Sequence, residues 1–179
     1  MTENSDANLV AAALKGDAES FSRLCEEYHP VLVAIAFTRL ADRDLAEDVA
    51  QEALLAAYRD IAKLKQPERF AGWLAAICRN IAIDMARARQ KHAESVDCSP
   101  TGSRSHHESD IVALVREVIL ELEPDVRDIV YLRYYSRMSY SRIAQVLDIS
   151  EEAVNGRLRR ARERIRQELQ RRAPTEMDL

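Results

Sequence analysis

Glycine and proline are scarce in this chain, four and five in 179 residues, and aromatic residues make up only 6%. Runs of alternating β-branched residues bounded by turn signals are missing too, which excludes sandwiches and barrels and leaves an all-α fold. Three scattered cysteines, an odd number, cannot form a disulfide framework. The longest apolar run, Val31 to Phe37, has seven residues, far short of the roughly 20 that span a membrane. The opening "MTENSDANLV" is acidic where a secretory signal would be basic. A cytoplasmic protein with reduced thiols and no membrane insertion is the expectation. What the chain does have is Ala, Leu, Arg and Glu, the residues of helices.

The net charge of −4 hides an uneven distribution. Residues 1–92 carry −2 and residues 93–108 another −2, whereas residues 109–173 carry +2. Residues 151–172 alone hold eight arginines against four acids. The overall acidity therefore reports the remainder of the chain and does not argue against a nucleic-acid-facing helix near the C-terminus. Between the two halves, "AESVDCSPTGSRSHHES" (93–109) contains Pro, Gly, five Ser and almost nothing apolar. It reads as a flexible linker between two small helical domains, 1–92 and 110–173, with a short tail at 174–179.

In the second half, Ile111, Leu114, Val115, Val118 and Leu122 recur at helical spacing, and Pro124 stops that run and suits the first turn of the next helix. Ser139 is a good N-cap for "YSRIAQVL", whose Ile143 and Leu147 should form a buried i, i+4 pair, and Ala144 is small enough for a close helix crossing. Ser150 is a second N-cap, and Glu151 and Glu152 suit the helix dipole that follows it. Val154, Leu158, Ala161 and Ile165 make one apolar stripe there, leaving Asn155, Gly156, Arg159 and Arg160 to the sides or the far face. This pattern predicts a three- or four-helix domain built on a helix-turn-helix, with its recognition helix last. A merely solvated arginine face is the bland reading of the same residues.

In the first half, Leu45, Val49, Ala53 and Ala57 should face a core, while Asp44, Glu47, Asp48, Gln51 and Glu52 line another side without lysines to neutralise them. That stripe is either an ordinary solvated face or a docking site for a basic partner. Farther on, Leu74, Ile77, Cys78, Ile81 and Met85 form the apolar side of a helix. Trp73, Asn80, Asp84, Arg87 and Lys91 fall within about 40° of one line on it. An aromatic ring in line with amide and basic groups is what stacking on unpaired bases requires, although a lone Trp can equally pack under a loop.

The order "DLAEDVAQEALLAAYRDI", "FAGWLAAICRNIAIDMARAR", linker, "LEPDVR", "YSRIAQVLDIS", "VNGRLRRAR" resembles the bacterial RNA polymerase sigma factors of the extracytoplasmic-function subfamily, from about Asn8 to Arg172. The D-x-x-Q-E stripe (Asp48, Gln51, Glu52) and the W-L-x-x-I-x-R-N segment carry the specificity of that match. The resemblance implies a factor that binds core RNA polymerase and directs it to promoters. By it, Asp48, Gln51 and Glu52 dock on the basic coiled-coil of the largest polymerase subunit. Phe70 to Arg89, with Trp73, Arg79, Asn80, Asp84 and Arg87, open the −10 element and hold an extruded base. Ser150, Glu152, Asn155, Gly156, Arg159 and Arg160 fall where the family reads the −35 element. An anti-sigma factor is a further implied partner.

The chain departs from the family pattern in four places. Asp148 stands where the turn usually has Gly, Gly156 where a small polar side chain is frequent, and Asn155 where a basic residue is frequent. The segment "YYSRMSY" lacks the common Gly-Leu. Cys25 with His29, and Cys98 with His106 and His107, do not show four ligands at zinc spacing, so no metal is expected. Without a phosphate loop or a nucleophile elbow, no cofactor, small-molecule substrate or enzymatic activity is expected either. A stand-alone helix-turn-helix regulator is the second reading.

Overall fold

The computed structural model describes residues 3–95 and 110–172, and every regular element among them is helical. Four α-helices make the first unit: α1 (Glu3–Ala13), α2 (Ala18–Leu40), α3 (Arg43–Asp60) and α4 (Phe70–Ser95), with two 3-10 turns, Ile61–Lys63 and Pro67–Arg69, before α4. The second unit holds α5 (Asp110–Leu120), α6 (Pro124–Tyr134), α7 (Tyr140–Leu147) and α8 (Glu151–Arg172). Helix α4 runs three residues into the segment read as linker, through Ala93 and Glu94, both good helix formers. Cys98, His106 and His107 lie outside the described residues.

Short polar residues set the helix boundaries. Asp17 accepts a hydrogen bond from the Glu19 amide (3.1 Å) and one from the Ser20 hydroxyl (2.6 Å), starting α2. Ala41, in the left-handed conformation (φ 49°), ends α2, and Asp42 at once caps α3 by accepting from the Leu45 amide at 3.2 Å. That two-residue break packs α2 directly against α3. Pro30 sits inside α2 on its exposed side, where the carbonyl it leaves unbonded can meet water.

The side of α3 against the core is almost all alanine: Ala46, Ala50, Ala53 and Ala57 are fully buried together with Val49, while Leu45 is only half-buried. Small residues there let α2 and α4 approach, and α2 supplies the bulk through Leu24, Tyr28, Leu32 and Ile35. Each such side chain contributes about 1.5–3 kcal/mol by leaving water. On α4, Leu74 and Cys78 are fully buried, whereas Ile77, Ile81 and Met85 pack at the margin. Burial pushes the Cys78 thiol up to about 12, so it is an inert core group.

In the second unit both serine caps form. The Ser139 hydroxyl accepts from the Arg142 amide (3.1 Å) and Ser150 from the Ala153 amide (3.2 Å). Between them Asp148 adopts φ 54°, ψ 48°, so the turn keeps its left-handed residue without a glycine. Arg137, in the segment lacking Gly-Leu, is likewise left-handed at φ 53°. The neighbouring Arg133 steadies this turn, donating to the Met138 carbonyl (2.8 Å) and lying over the Tyr140 ring. Ile143 and Val146 are the fully buried residues of α7. Leu147 is only partly covered, because the short helix presents its i, i+3 edge to the core. Val154, Leu158 and Ala161 of α8 complete that core.

Candidate partner and nucleic-acid interfaces

The alanine face of α3 fixes what points outward. Asp44, Asp48, Gln51 and Glu52 are exposed, and Asp44, Asp48 and Glu52 have no ion-pair partner among the described residues. Glu47 differs: it is half-buried and lies 3.2 Å from His29 Nε2, which draws it out of the stripe. Cys25, four residues before His29, is half-buried and its thiol is raised by desolvation and by Glu26. Two exposed apolar side chains, Leu55 (64% exposed) and Tyr58 (55%), extend the face bearing Asp48 and Gln51. Sequence reasoning missed them, although Leu55 sits at i+7 from Asp48, on the polar side of the helical period. The face thus combines a row of unpaired acids with two bare apolar side chains at its end.

On α4 the line through Trp73 has two characters. Asn80, Asp84 and Arg87 are exposed, with Arg87 Nη1 3.7 Å from Asp84. Trp73 is half-buried, its ring 6.0 Å from that of Phe70. Packing and availability thus coexist in one residue: the indole lies beside the tilted Phe70 ring, and the residue also lines a cavity of about 530 Å³. Lys63, Lys65 and Arg69, from the connection before α4, line the same cavity. These three were legible as alternating basic residues in "KLKQPER" just ahead of the aromatic helix start, but only in retrospect. Arg79 lies off the line, half-buried, its Nε without a hydrogen-bond partner among the described residues.

On α8, Ser150, Glu152, Asn155, Arg159 and Arg160 are exposed and Gly156 is half-buried. The arginines divide by position. Arg159 and Arg160 carry no ion pair among the described residues, whereas three of the five farther along are tied to acids. Arg166 meets Glu163 at 3.0 Å, Arg171 meets Glu168 at 2.7 Å, and Arg172 reaches Glu121 on α5 at 2.7 Å. The Arg172 hydrogen bond holds the Glu121 carboxyl below the usual carboxylate range. Ion pairing thus begins only at Arg166, and Arg159 and Arg160 stand unpaired in the half of the helix nearer its Ser150 cap.

Space at Gly156 is open. A Cβ there would meet only Arg160 Nη1, at 3.6 Å, an ordinary contact. Gly156→Ala is accordingly expected to stabilise the protein by up to about 1 kcal/mol, read as a rise in the thermal midpoint. Apolar residues of the second unit, most of them half-buried, form a groove that sequence reasoning also missed. Val115, Ile119, Val130, Tyr134, Ile165 and Leu169 line it, with Arg162 and Arg166 at its edge.

Eight α-helices carrying an exposed acidic face, a basic and aromatic cleft, and a capped helix-turn-helix are the build of a promoter-directed initiation factor. The comparisons give it a family. Residues 24–92 match Sigma-70 region 2 and residues 113–165 match Sigma-70, region 4. The chain belongs to the sigma-70 family of RNA polymerase sigma factors, extracytoplasmic-function type. It is 31% identical over 174 residues to the probable RNA polymerase sigma factor RfaY of Xanthomonas campestris, covering 91% of this chain but 44% of that longer protein. It is 28% identical to the RNA polymerase sigma-H factor of Pseudomonas aeruginosa, over 95% of this chain and 96% of the relative. With the ECF RNA polymerase sigma factor SigW of Bacillus subtilis it shares 27%, over 87% and 91% respectively. Among solved structures, CnrH in complex with the cytosolic domain of CnrY superposes with a TM-score of 0.65 at 25% identity, covering 94% of this chain and 99% of that one. The fold is also that of the sigma factor RpoE of Bartonella quintana, solved with the anti-sigma factor NepR (TM-score 0.62, 23% identity, 86% and 98% covered). Among the described residues no helix is long and apolar enough to cross a membrane.

Proposed function

We propose that this chain works in the cytoplasm as a dissociable initiation subunit that gives RNA polymerase its promoter specificity, with catalysis left to the polymerase. In this reading residues 1–92 dock on the core enzyme and open the −10 element, and residues 110–173 bind the −35 element. Asp48, Gln51 and Glu52, continued by Leu55, meet a basic partner surface. Trp73 and Asn80 hold unpaired bases, with Arg79, Asp84 and Arg87 alongside and Lys63, Lys65 and Arg69 gathering phosphates. Ser150, Glu152, Asn155, Gly156, Arg159 and Arg160 form the face offered to the upstream element. The apolar groove on the second unit suits an amphipathic helix of the polymerase or of an anti-sigma factor.

The observation that carries the reading is the conjunction of the unpaired acidic face on α3 with the capped, unpaired arginines of α8. A regulator acting alone needs only the latter. The two readings separate in a gel-shift assay. Promoter DNA is expected to be retained sequence-specifically only when core polymerase is present, and tight specific binding by the protein alone would favour the stand-alone regulator.

Within the complex, Arg159 and Arg160 are expected to act differently from Arg166. A side chain bonded to base edges discriminates by about 1–3 kcal/mol, whereas a phosphate contact weakens all sequences alike. Arg166 begins from an exposed pair with Glu163, worth about 0–1 kcal/mol, which a phosphate can displace. In transcription from a library randomised across the upstream element, Arg159→Ala and Arg160→Ala should relax preference at particular base pairs. Arg166→Ala should lower output uniformly. Unchanged preference in all three variants would make this helix an electrostatic clamp only.

A further inference from the structure

The apolar groove of the second unit is made of two adjoining hollows, of about 290 and 500 Å³, which share Val115, Ile119, Val130 and Tyr134. Ile165 and Leu169 of α8 line the larger hollow, and Val112 and Tyr135 extend the smaller one. Val112, Tyr134 and Tyr135 stand exposed at 48%, 56% and 74%. Contiguous apolar surface of this kind marks a binding site. Its rim is basic, for Arg116 on α5 and Arg162 and Arg166 on α8 line the same hollows. Arg166 meets Glu163 at 3.0 Å, but that pair is exposed and easily exchanged. The occupant that fits is therefore apolar and acidic at once.

A segment of that composition is attached to the groove. Residues 173–179, "APTEMDL", follow directly on Arg172, where α8 ends, and Arg172 is only three positions past the groove residue Leu169. Arg172 is anchored there, held at 2.7 Å by Glu121 just after α5. Ala173-Pro174 reads as a helix stop, because proline lacks the amide that would continue α8 and biases the residue before it to extended backbone. Beyond it acids and apolar residues alternate, as Glu176, Met177, Asp178 and Leu179. In an extended chain this period of two puts both apolar side chains on one face and both acids on the other. Seven extended residues reach about 23 Å. From Leu169 back to Arg162 along α8 the groove is about 10 Å long, so the segment is long enough to double back over it.

We infer that residues 173–179 fold back and occupy this groove. Met177 and Leu179 lie in the hollow between α5, α6 and α8, and Glu176 and Asp178 meet Arg116, Arg162 and Arg166 at its rim. The tether supplies much of the affinity, because a short flexible connection keeps the segment at millimolar effective concentration and a contact too weak to hold a free peptide still fills the site. Resting on the initiation-factor reading, a partner helix that takes this groove must first displace the segment. Its apparent affinity is then scaled down by the fraction of chains whose groove is empty.

Methyl NMR on the full chain tests the occupancy directly. Cross-peaks between the Met177 methyl and the methyl groups of Ile119 and Ile165 are expected at every protein concentration. Met177→Ser with Leu179→Ser, and separately removal of residues 173–179, should shift the resonances of those groove methyls and leave those of Leu32 and Ile35 in place. Neither change alters a residue of the eight helices, so helix content by circular dichroism should stay at the parent's value. Glu176→Gln with Asp178→Asn should weaken the cross-peaks at least twofold. A Met177 methyl without contacts to the groove, or groove methyls indifferent to both variants, would overturn the inference. Groove resonances that move when the full chain is diluted would give the groove to a second copy instead.

Emptying the groove should also tighten binding to core polymerase, at least threefold for Met177→Ser with Leu179→Ser in a titration followed by fluorescence anisotropy. Equal affinity of parent and variant would contradict the displacement step. If neither binds polymerase, the initiation-factor reading is what fails, and the NMR contacts still decide where the segment lies.

Discussion

Reversing Asp48 and Glu52 to Lys is expected to abolish association with core polymerase while leaving the fold intact. Both side chains are exposed and neither is tied to a cation among the described residues, so their replacement removes nothing that holds α3 in place. The buried side of that helix is Val49 and four alanines, and it is untouched by the change. Close charge pairs at a desolvated interface couple by about 1.5–7 kcal/mol, and reversal adds repulsion to the loss. At about 1.5 kcal/mol each, the loss of two such pairs alone weakens the complex by more than about a hundredfold. Leu55→Ala should weaken the complex less but in the same direction, since 64% of that side chain lies bare beside the acids. Native circular dichroism with undiminished co-purification would remove the stripe from the docking surface.

The second large effect is expected at promoter opening. Asn80→Ala with Trp73→Ala should leave assembly on polymerase intact and reduce strand separation, because an unpaired base would lose its hydrogen-bonding and stacking partners. Stacking of one base on an aromatic ring is worth about 1–3 kcal/mol, a loss of roughly five- to a hundredfold. Permanganate reactivity of promoter thymines measures it, and reactivity equal to the parent's would refute the assignment. The single variants should differ in stability. Asn80 is exposed and its loss costs the fold little, whereas Trp73 also packs on Phe70. Trp73→Phe keeps part of that packing and a smaller stacking surface, so it should fall between the parent and Trp73→Ala.

What could be read in advance follows from what is local in the chain. Ser139 and Ser150 were legible as caps because an N-cap is a contact across three residues, and Asp148 as a left-handed turn residue because the turn is equally local. The stripe on α3 was legible as a period. Contacts joining distant residues had no such signature. Asp128 meets Arg39 across 89 positions and Arg142 meets Asp6 across 136, and nothing near either residue marks it as buried. An acid or an arginine in a helix reads as solvent-facing until its partner is known. Trp73 gave an ambiguous signal because it has two roles in space, against Phe70 and toward the cavity. Leu55 and the groove around Tyr134 are apolar residues on surfaces, and a period analysis assigns apolar residues to cores.

The central claim is that an acidic chain with one arginine-rich helix acts through polymerase and not alone. Run-off transcription with purified core enzyme, with and without this protein, tests it most directly. Transcripts starting at discrete promoters only when the protein is present are the expected result. Core enzyme that gains no promoter-specific start from it, while the protein binds promoter DNA unaided, would contradict the account.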